Sequence, residues 1–512
     1  MMIDLVQGSI TEVQADAWIV NLFEGVTHPG GATGAVDRLI GGTITRMIES
    51  GEFRGKLGET ASIYLPMSSG GVPTKKVVVV GLGPSAKFGL EEARRAAGSA
   101  LNAARSKGTK RIATIVHGAG IGGLDPEEAA QSLAEGSLLA AYRYRAMKKR
   151  RASDDSDGTA ASSQTSDLDR LIVAEMDAEK VAAIRRGLDR GTVLADSVNF
   201  ARDLVNTPPS RMTPTILSEH IARMAAEVGL ECNVLERAEM EALGLGALLG
   251  VARGSDEPPK LIILKYIGNP AEPDVFSYGF VGKGVTFDSG GLSLKQAASM
   301  ETMKNDMAGA AAVAGAMRSI ALLKPNKNVL AVAACVENMP SGRALKPGDV
   351  LDTLAGITIE VDNTDAEGRL ILADAVAYAA RLGAQAIVDV ATLTGAVGIA
   401  LGDVYSGLIA NDDGLVQQIQ KAAEQSGERF WRLPSDDEYK DAYKSDVADI
   451  KNTGGRLGGA ITGGLIIGEF VGDTPWAHLD IAATAFTSKT KHYQGKGATG
   501  VAVRTLALLA SS

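Results

Sequence analysis

The run Ile357-Thr358-Ile359-Glu360-Val361, the octapeptide Asn363-Thr364-Asp365-Ala366-Glu367-Gly368-Arg369-Leu370, and Ile371-Leu372-Ala373-Asp374-Ala375-Val376-Ala377-Tyr378-Ala379-Ala380 set the character of the chain. An apolar, β-branched segment passes through a polar octapeptide into an alanine-rich helical run. That is the strand-to-helix junction of an α/β sheet, the usual position for binding and chemistry. Asp365 and Glu367 are two residues apart, and Arg369 is two further on. In extended backbone these three side chains project to one side. There they would hold cations and an anionic group together. Taken alone, the octapeptide reads equally well as a polar turn closed by a surface salt bridge.

At 512 residues the chain is too long for one ordinary core, so at least two domains are expected. Hydrophobic residues make up 45 % and charged residues 22 %, the balance of a globular protein. Sixty glycines fit many tight turns between strands and helices. The formal net charge of −9 argues against broad binding to nucleic acid or to anionic membrane. Cys232 and Cys335 alone make neither a disulfide framework nor a cysteine zinc site, so a cytoplasmic protein is expected. The start, Met1-Met2-Ile3-Asp4-Leu5-Val6, carries an early acid and no basic region, which predicts no signal peptide. No apolar run approaches the ~20 residues of a membrane span.

Outward from the octapeptide, helix and strand patterns alternate. Residues 261–266, 277–282, 328–334 and 386–391 read as strands, and 308–322 as a helix. This predicts a largely parallel or mixed sheet flanked by helices. Nearer the start, 18–20, 76–83, 111–116 and 171–174 have strand character, and 91–106 is alanine-rich and helical, which predicts a second α/β domain. Gly81-Leu82-Gly83 is only a loose dinucleotide fingerprint and reads by default as a tight turn. Lys148-Lys149-Arg150-Arg151 opens a polar, aperiodic stretch to about residue 168, expected to be a flexible surface loop. The basic tetrad is either a nucleic-acid patch or a solvated helix end, and the acids that follow favour the second. An amphipathic helix over 177–204 stops at Asn206-Thr207-Pro208-Pro209. Domain bounds of 1–175, 176–210 for a connecting helix and linker, and 211–512 follow.

A second polar cluster precedes the octapeptide, from Gly282-Lys283-Gly284 through Asp288-Ser289-Gly290-Gly291 and Lys295 to Met303-Lys304-Asn305-Asp306. Asp306 before an apolar helix suits a capping role on its own. Combined, Asp288, Asp306, Asp365 and Glu367 lie on one edge of the expected sheet. So many carboxylates do not crowd together without cations. Lys283, Lys295 and Arg369 are too few if one lysine must be neutral. Two divalent ions about 3.5–4 Å apart would resolve the conflict. Oxygen donors favour Mn²⁺, Mg²⁺ or Zn²⁺ over copper or iron–sulfur centres.

These residues resemble the signature of the leucyl aminopeptidase family, the cytosol aminopeptidases. Asn363–Leu370 matches its most specific motif, and Lys283, Asp288, Lys295 and Asp306 match a second block at the same spacing. Asn206-Thr207-Pro208-Pro209, Glu337-Asn338-Met339-Pro340-Ser341-Gly342, Lys346-Pro347-Gly348-Asp349-Val350, Ala391-Thr392-Leu393-Thr394-Gly395-Ala396 and Trp476-Ala477-His478-Leu479-Asp480-Ile481-Ala482 support it. The likeness is strong over about residues 185–512 and general before that. Ala483 departs from it, because the family often has glycine there.

The resemblance implies an N-terminal macro-like α/β domain and a larger catalytic α/β domain. Lys283, Asp288, Asp306 and Glu367 would bind one metal ion, with Lys283 as a neutral amine. Asp288, Asp365 and Glu367 would bind the other. Lys295 would stabilise the oxyanion, and Arg369 would hold bicarbonate as general base. Met303, Asn363, Thr392, Gly395 and Ala482 would contact the substrate, although Met303 also reads as core filler. His478 is expected to be structural. The implied activity is removal of an N-terminal, leucine-like residue from peptides by a cytoplasmic homohexamer. A DNA-binding role and a phosphate-ester hydrolase are the other classes considered. The first rests only on 148–151, and Lys283 with the octapeptide argues against the second.

Overall fold

The computed structural model describes residues 1–66, 72–120, 122–147 and 168–512. The basic tetrad and nearly all of the expected loop at 148–168 lie outside the described residues. The chain forms two compact units, Met1–Asp196 with Lys489–Gly495, and Ser197–Ser488 with Lys496–Ser512. The division falls within the helix Ala178–Asn206.

In the first unit a sheet has the order Met2–Gln7, Arg170–Glu175, Arg111–Thr114, Ala17–Leu22, Lys76–Gly81, Thr60–Tyr64. Only Thr60–Tyr64 pairs antiparallel. Val77 to Val80 are buried on both faces, which is why they read as a continuous valine run rather than an alternating one. The segment Lys489–Gly495 completes this unit. Ser99 Oγ lies 3.0 Å from His492 Nδ1, Asn102 Nδ2 donates to the His492 carbonyl at 2.8 Å, and the Tyr493 hydroxyl donates to Glu91 at 3.1 Å.

The second unit is built on an eight-stranded sheet. Its order is Phe430–Arg432, Ser406–Ala410, Trp476–Asp480, Ile387–Ala391, Tyr278–Asp288, Val329–Asn338, Lys260–Tyr266, Glu231–Leu235. The four central strands, from Trp476–Asp480 to Val329–Asn338, run parallel, and antiparallel pairs flank them. Mixed pairing agrees with the sequence expectation. The parallel strands end together, with Asp480 beside Ala391 and Asp288 beside Asn338 in the register. That shared carboxyl edge is where an α/β sheet gathers ligands.

Three local expectations change. The strand that starts near Tyr278 does not stop at Gly282 but continues to Asp288, so Lys283 lies within it. The apolar run before the octapeptide contributes only Ile359–Glu360, in a separate three-stranded sheet with Val350–Leu351 and Ile450–Lys451. Ala297–Leu323 is long and apolar enough by composition to cross a membrane, but 83 % of its most apolar stretch is buried inside the protein. Its main part, the helix Ala308–Leu323, is buried nearly all round, which explains its all-round apolarity.

Candidate metal centre

Lys283 and Asp288 are five residues apart in one strand, and strict alternation would put them on opposite faces. A bulge corrects this. Val285 pairs with Val336 but Phe287 pairs with Glu337, so Thr286 is an extra residue. Both side chains therefore reach the same site, 2 % exposed each. Lys283 Nζ lies 2.8 Å from Asp306 Oδ1 and 2.8 Å from Glu367 Oε1, and donates to the Thr392 carbonyl at 3.0 Å. Lys295 Nζ lies 2.8 Å from Asp288 Oδ2 and is also bonded to Asp365 Oδ1. Each lysine thus bridges one pair of acids.

The octapeptide is a turn rather than extended backbone. Asn363 Oδ1 accepts the Asp365 N–H at 2.8 Å, and the Asn363 carbonyl accepts the Ala366 N–H at 3.1 Å. Glu367 is the N-cap residue of the helix Gly368–Arg381, without a side-chain cap bond. Asp365 and Glu367 therefore meet the other acids through the turn. Asp306 does not cap the apolar helix that follows it. The helix Ala308–Leu323 starts after Met307, and Asp306 Oδ1 instead accepts from Lys283 and from Thr392 Oγ1, both at 2.8 Å.

Burial pushes the carboxyls of Asp306, Glu367 and Asp365 above the usual range. Neighbouring carboxylates add to this, while the lysines oppose it. Burial works against the Lys283 ammonium, but Asp306, Glu367 and Asp288 outweigh it and hold its pKa above the ordinary lysine value. Lys295 is raised in the same way, by Asp288 and Glu367 against burial. Asp306 Oδ2 and Glu367 Oε2 are buried without a hydrogen-bond partner. Oxygens of Asp288, Asp365 and Glu367 lie within 4.8 Å of one another, close enough to share an ion. Orphaned, crowded carboxylate oxygens are what a divalent cation satisfies, so the residues fit that group.

Arg369 is 8 % exposed. Its Nη1 donates to the Asn452 carbonyl at 3.0 Å, and its Nε has no partner, a donor suited to a small anion. Thr392 belongs to the bonded network. Asn363 and Ala482 stand on loops, Gly395 opens the helix Gly395–Leu401, and Met303 is half-buried in the turn before Asp306. His478 is fully buried in its strand, with Nδ1 2.5 Å from Asp389 Oδ1, and takes no part in the cluster. The Ala483 methyl lies against Gly398, where an added methyl would come to 3.3 Å.

Several supporting residues have no signal as single letters. Asn338 Nδ2 donates to Asp288 Oδ1 at 2.8 Å and to the Thr364 carbonyl at 3.0 Å, joining the two acidic motifs. Gly291, at φ +64°, allows this, since a Cβ there would lie 2.8 Å from Asn338 Oδ1. Asp480 accepts from the Thr394 hydroxyl at 2.7 Å and from the Leu393 and Ala482 N–H groups at 3.2 Å, tying the segment after Ala391 to the turn after Asp480. In the sequence Asn338 and Asp480 stood out only as members of the blocks Glu337–Gly342 and Trp476–Ala482 that carry the family resemblance.

Oxygen donors gathered on the carboxyl edge of a mixed sheet place the chain among metal-dependent hydrolases. The model of the cytosol aminopeptidase family catalytic domain matches residues 199–507, and that of the family's N-terminal domain matches 19–151. A probable cytosol aminopeptidase of Alkaliphilus oremlandii is 44 % identical over 512 residues, covering 100 % of this chain and 99 % of the relative. One from Solibacter usitatus is 45 % identical over 515 residues, with the same coverage. Among solved structures, the bottromycin maturation enzyme BotP in complex with Mn is 36 % identical with a TM-score of 0.82, covering 97 % of this chain and 99 % of that one. A mutant tomato leucine aminopeptidase is 31 % identical with a TM-score of 0.86, covering 99 % and 96 %. The chain belongs to the cytosol aminopeptidase family and is a metal-dependent aminopeptidase.

Proposed function

We propose that the enzyme removes the N-terminal residue, leucine-like by preference, from peptides by means of water activated between two divalent ions. The observation that carries this is the set of four carboxylates, with two buried oxygens unpartnered and only two lysines bridging the rest. Lys283, Asp288, Asp306 and Glu367 would hold one ion, and Asp288, Asp365 and Glu367 the other. Mn²⁺ or Zn²⁺ fits this set, and Mg²⁺ is compatible with it. A manganese-bound structural relative supports the first. Bound there, the ions supply a place for the peptide α-amine, a polarised carbonyl and a water acidified towards neutral pH. Beside carboxylates alone Lys283 keeps its proton, and a neighbouring dication would favour the neutral amine that can act as a ligand.

Lys295, 14 % exposed at its side chain against 3 % for Lys283, stabilises the charge that develops on the carbonyl oxygen. Arg369 would hold bicarbonate, which would supply a general base in the absence of a histidine among the clustered residues. Met303, Asn363, Thr392, Gly395 and Ala482 contact the substrate. Their apolar and small groups discriminate by only about 1–3 kcal/mol per methylene, so specificity is broad. The relatives' names support a cytoplasmic setting. The homohexamer belongs to this reading through the family resemblance.

Turnover of leucine p-nitroanilide by EDTA-stripped protein before and after Mn²⁺ addition tests the reading. Activity should appear with the metal and be absent for an N-acetylated substrate. It should fall more than about 100-fold in Asp365→Ala and Glu367→Ala, because even outer partners of metal ligands cost ~10–100-fold. No turnover with Mn²⁺, or undiminished turnover in both variants, would sink it.

A further inference from the structure

The side chain of Asn452 is fully buried, and its amide is committed to Asp362 and the start of the acidic octapeptide. It sits just beyond the strand Ile450–Lys451, which runs parallel to Ile359–Glu360, and its N–H donates to the Glu360 carbonyl at 2.9 Å. This pairing carries the chain alongside the loop that bears Asp365 and Glu367. Asn452 Oδ1 accepts the N–H groups of Asp362 at 2.8 Å and Asn363 at 3.3 Å. Its Nδ2 donates to the carbonyls of Asn363 at 2.7 Å and Ala366 at 3.3 Å. Two donors and two acceptors exhaust an amide's capacity. The backbone carbonyl of the same residue accepts from Arg369 Nη1 at 3.0 Å.

We propose that Asn452 is a positioning residue for the reaction. Its amide holds the turn that presents Asp365 and Glu367, and its carbonyl aims Arg369. One residue thereby fixes the acids relative to the guanidinium. The inference rests on the proposed roles of Asp365, Glu367 and Arg369. No other common side chain reproduces the pattern. Aspartate keeps the acceptor but turns a second oxygen towards two carbonyls and adds charge beside the acids. Alanine leaves two N–H groups and two carbonyls of the turn unpaired. Ligand carboxylates lose precision when their supporting bonds go, and such losses cost ~10–100-fold in metal affinity or activity.

The test compares the full-length wild type with Asn452→Ala, Asn452→Asp and Thr453→Ala. Thr453 is the next residue along the chain, and its hydroxyl donates to Asp362 Oδ2 at 3.2 Å, so its variant controls for disturbance of this segment. Mn²⁺ affinity of stripped protein is measured by calorimetry, and kcat and KM with leucine p-nitroanilide. Both Asn452 variants should lose about 10–100-fold in kcat and about tenfold in Mn²⁺ affinity, with KM hardly moved and Thr453→Ala like the wild type. Kcat and Mn²⁺ affinity within about twofold of the wild type in a folded Asn452 variant would overturn the proposal. So would failure of both variants to fold, which assigns Asn452 to the fold alone. Failure of the underlying function is seen separately, as a wild type without metal-dependent turnover.

Discussion

Asn338 shows how much a single amide can organise. It closes a central strand, and its Nδ2 spans from Asp288 to the carbonyl of Thr364. Its own carbonyl accepts from the Ser289 N–H at 3.0 Å and from the Ser289 hydroxyl at 2.7 Å. Asn338→Ala should therefore cost about 10–100-fold in kcat with little change in melting temperature, read by steady-state kinetics alongside calorimetry. Unchanged kcat would deny Asn338 any hold on Asp288. The acids, the lysines and Arg369 were legible in the sequence because their types clash unless a cation resolves them. Asn338 and Asn452 were not. An amide two residues ahead of a proline or a glycine reads as a turn former, and only tertiary burial shows which carboxylate loop it grips.

Asp374 plays a comparable part between elements. It lies inside the helix Gly368–Arg381, fully buried, and accepts the N–H of Leu248 at 2.9 Å and of Leu354 at 2.9 Å. The first belongs to the opening turn of the helix Gly246–Ala252, where N–H groups have no partner of their own. Asp374→Ala should lower the stability of the second unit by about 2–6 kcal/mol, since each of the two N–H groups left unpaired costs ~1–3 kcal/mol. Urea unfolding would measure it, with kcat unchanged in the folded fraction, and a loss under about 0.5 kcal/mol would refute the role. Long elements were readable from their period. The helix over 308–322 and the strand at 260–266 fall within a residue or so of where they were expected. The three-stranded side sheet was not readable, because strands of two residues carry no alternation. Nor did the bulge at Thr286 announce itself, although it brings Lys283 and Asp288 to one face.

At the scale of the whole chain, acid should act through the first unit. His117 is 1 % exposed, its Nδ1 lies 2.8 Å from Asn21 Nδ2, and its Nε2 has no partner. Burial pulls its pKa from 6.5 down to about 4. A depressed histidine contributes stability that is complete above the unfolded value and is lost as pH falls from about 6.5 towards 4. The difference amounts to about 3 kcal/mol at ~1.4 kcal/mol per unit. Protection factors of the amides in Ala17–Leu22 should fall over that window in the wild type and much less in His117→Asn. A parallel decline in both would remove His117 as the cause.

The division into units was foreshadowed by length, but not the excursion of Lys489–Gly495. A short run of lysines, a histidine and a glutamine looks like any polar loop. Its placement has a consequence for how the protein is made. The first unit lacks its last strip, including the bond from Tyr493 to Glu91, until residues 197–488 have been synthesised. At a translation rate of ~5–20 residues per second, those 292 residues take about 15–60 s. For that interval the N-terminal part of the nascent chain waits on the ribosome with one seam open, and it closes only once Lys489–Gly495 has emerged.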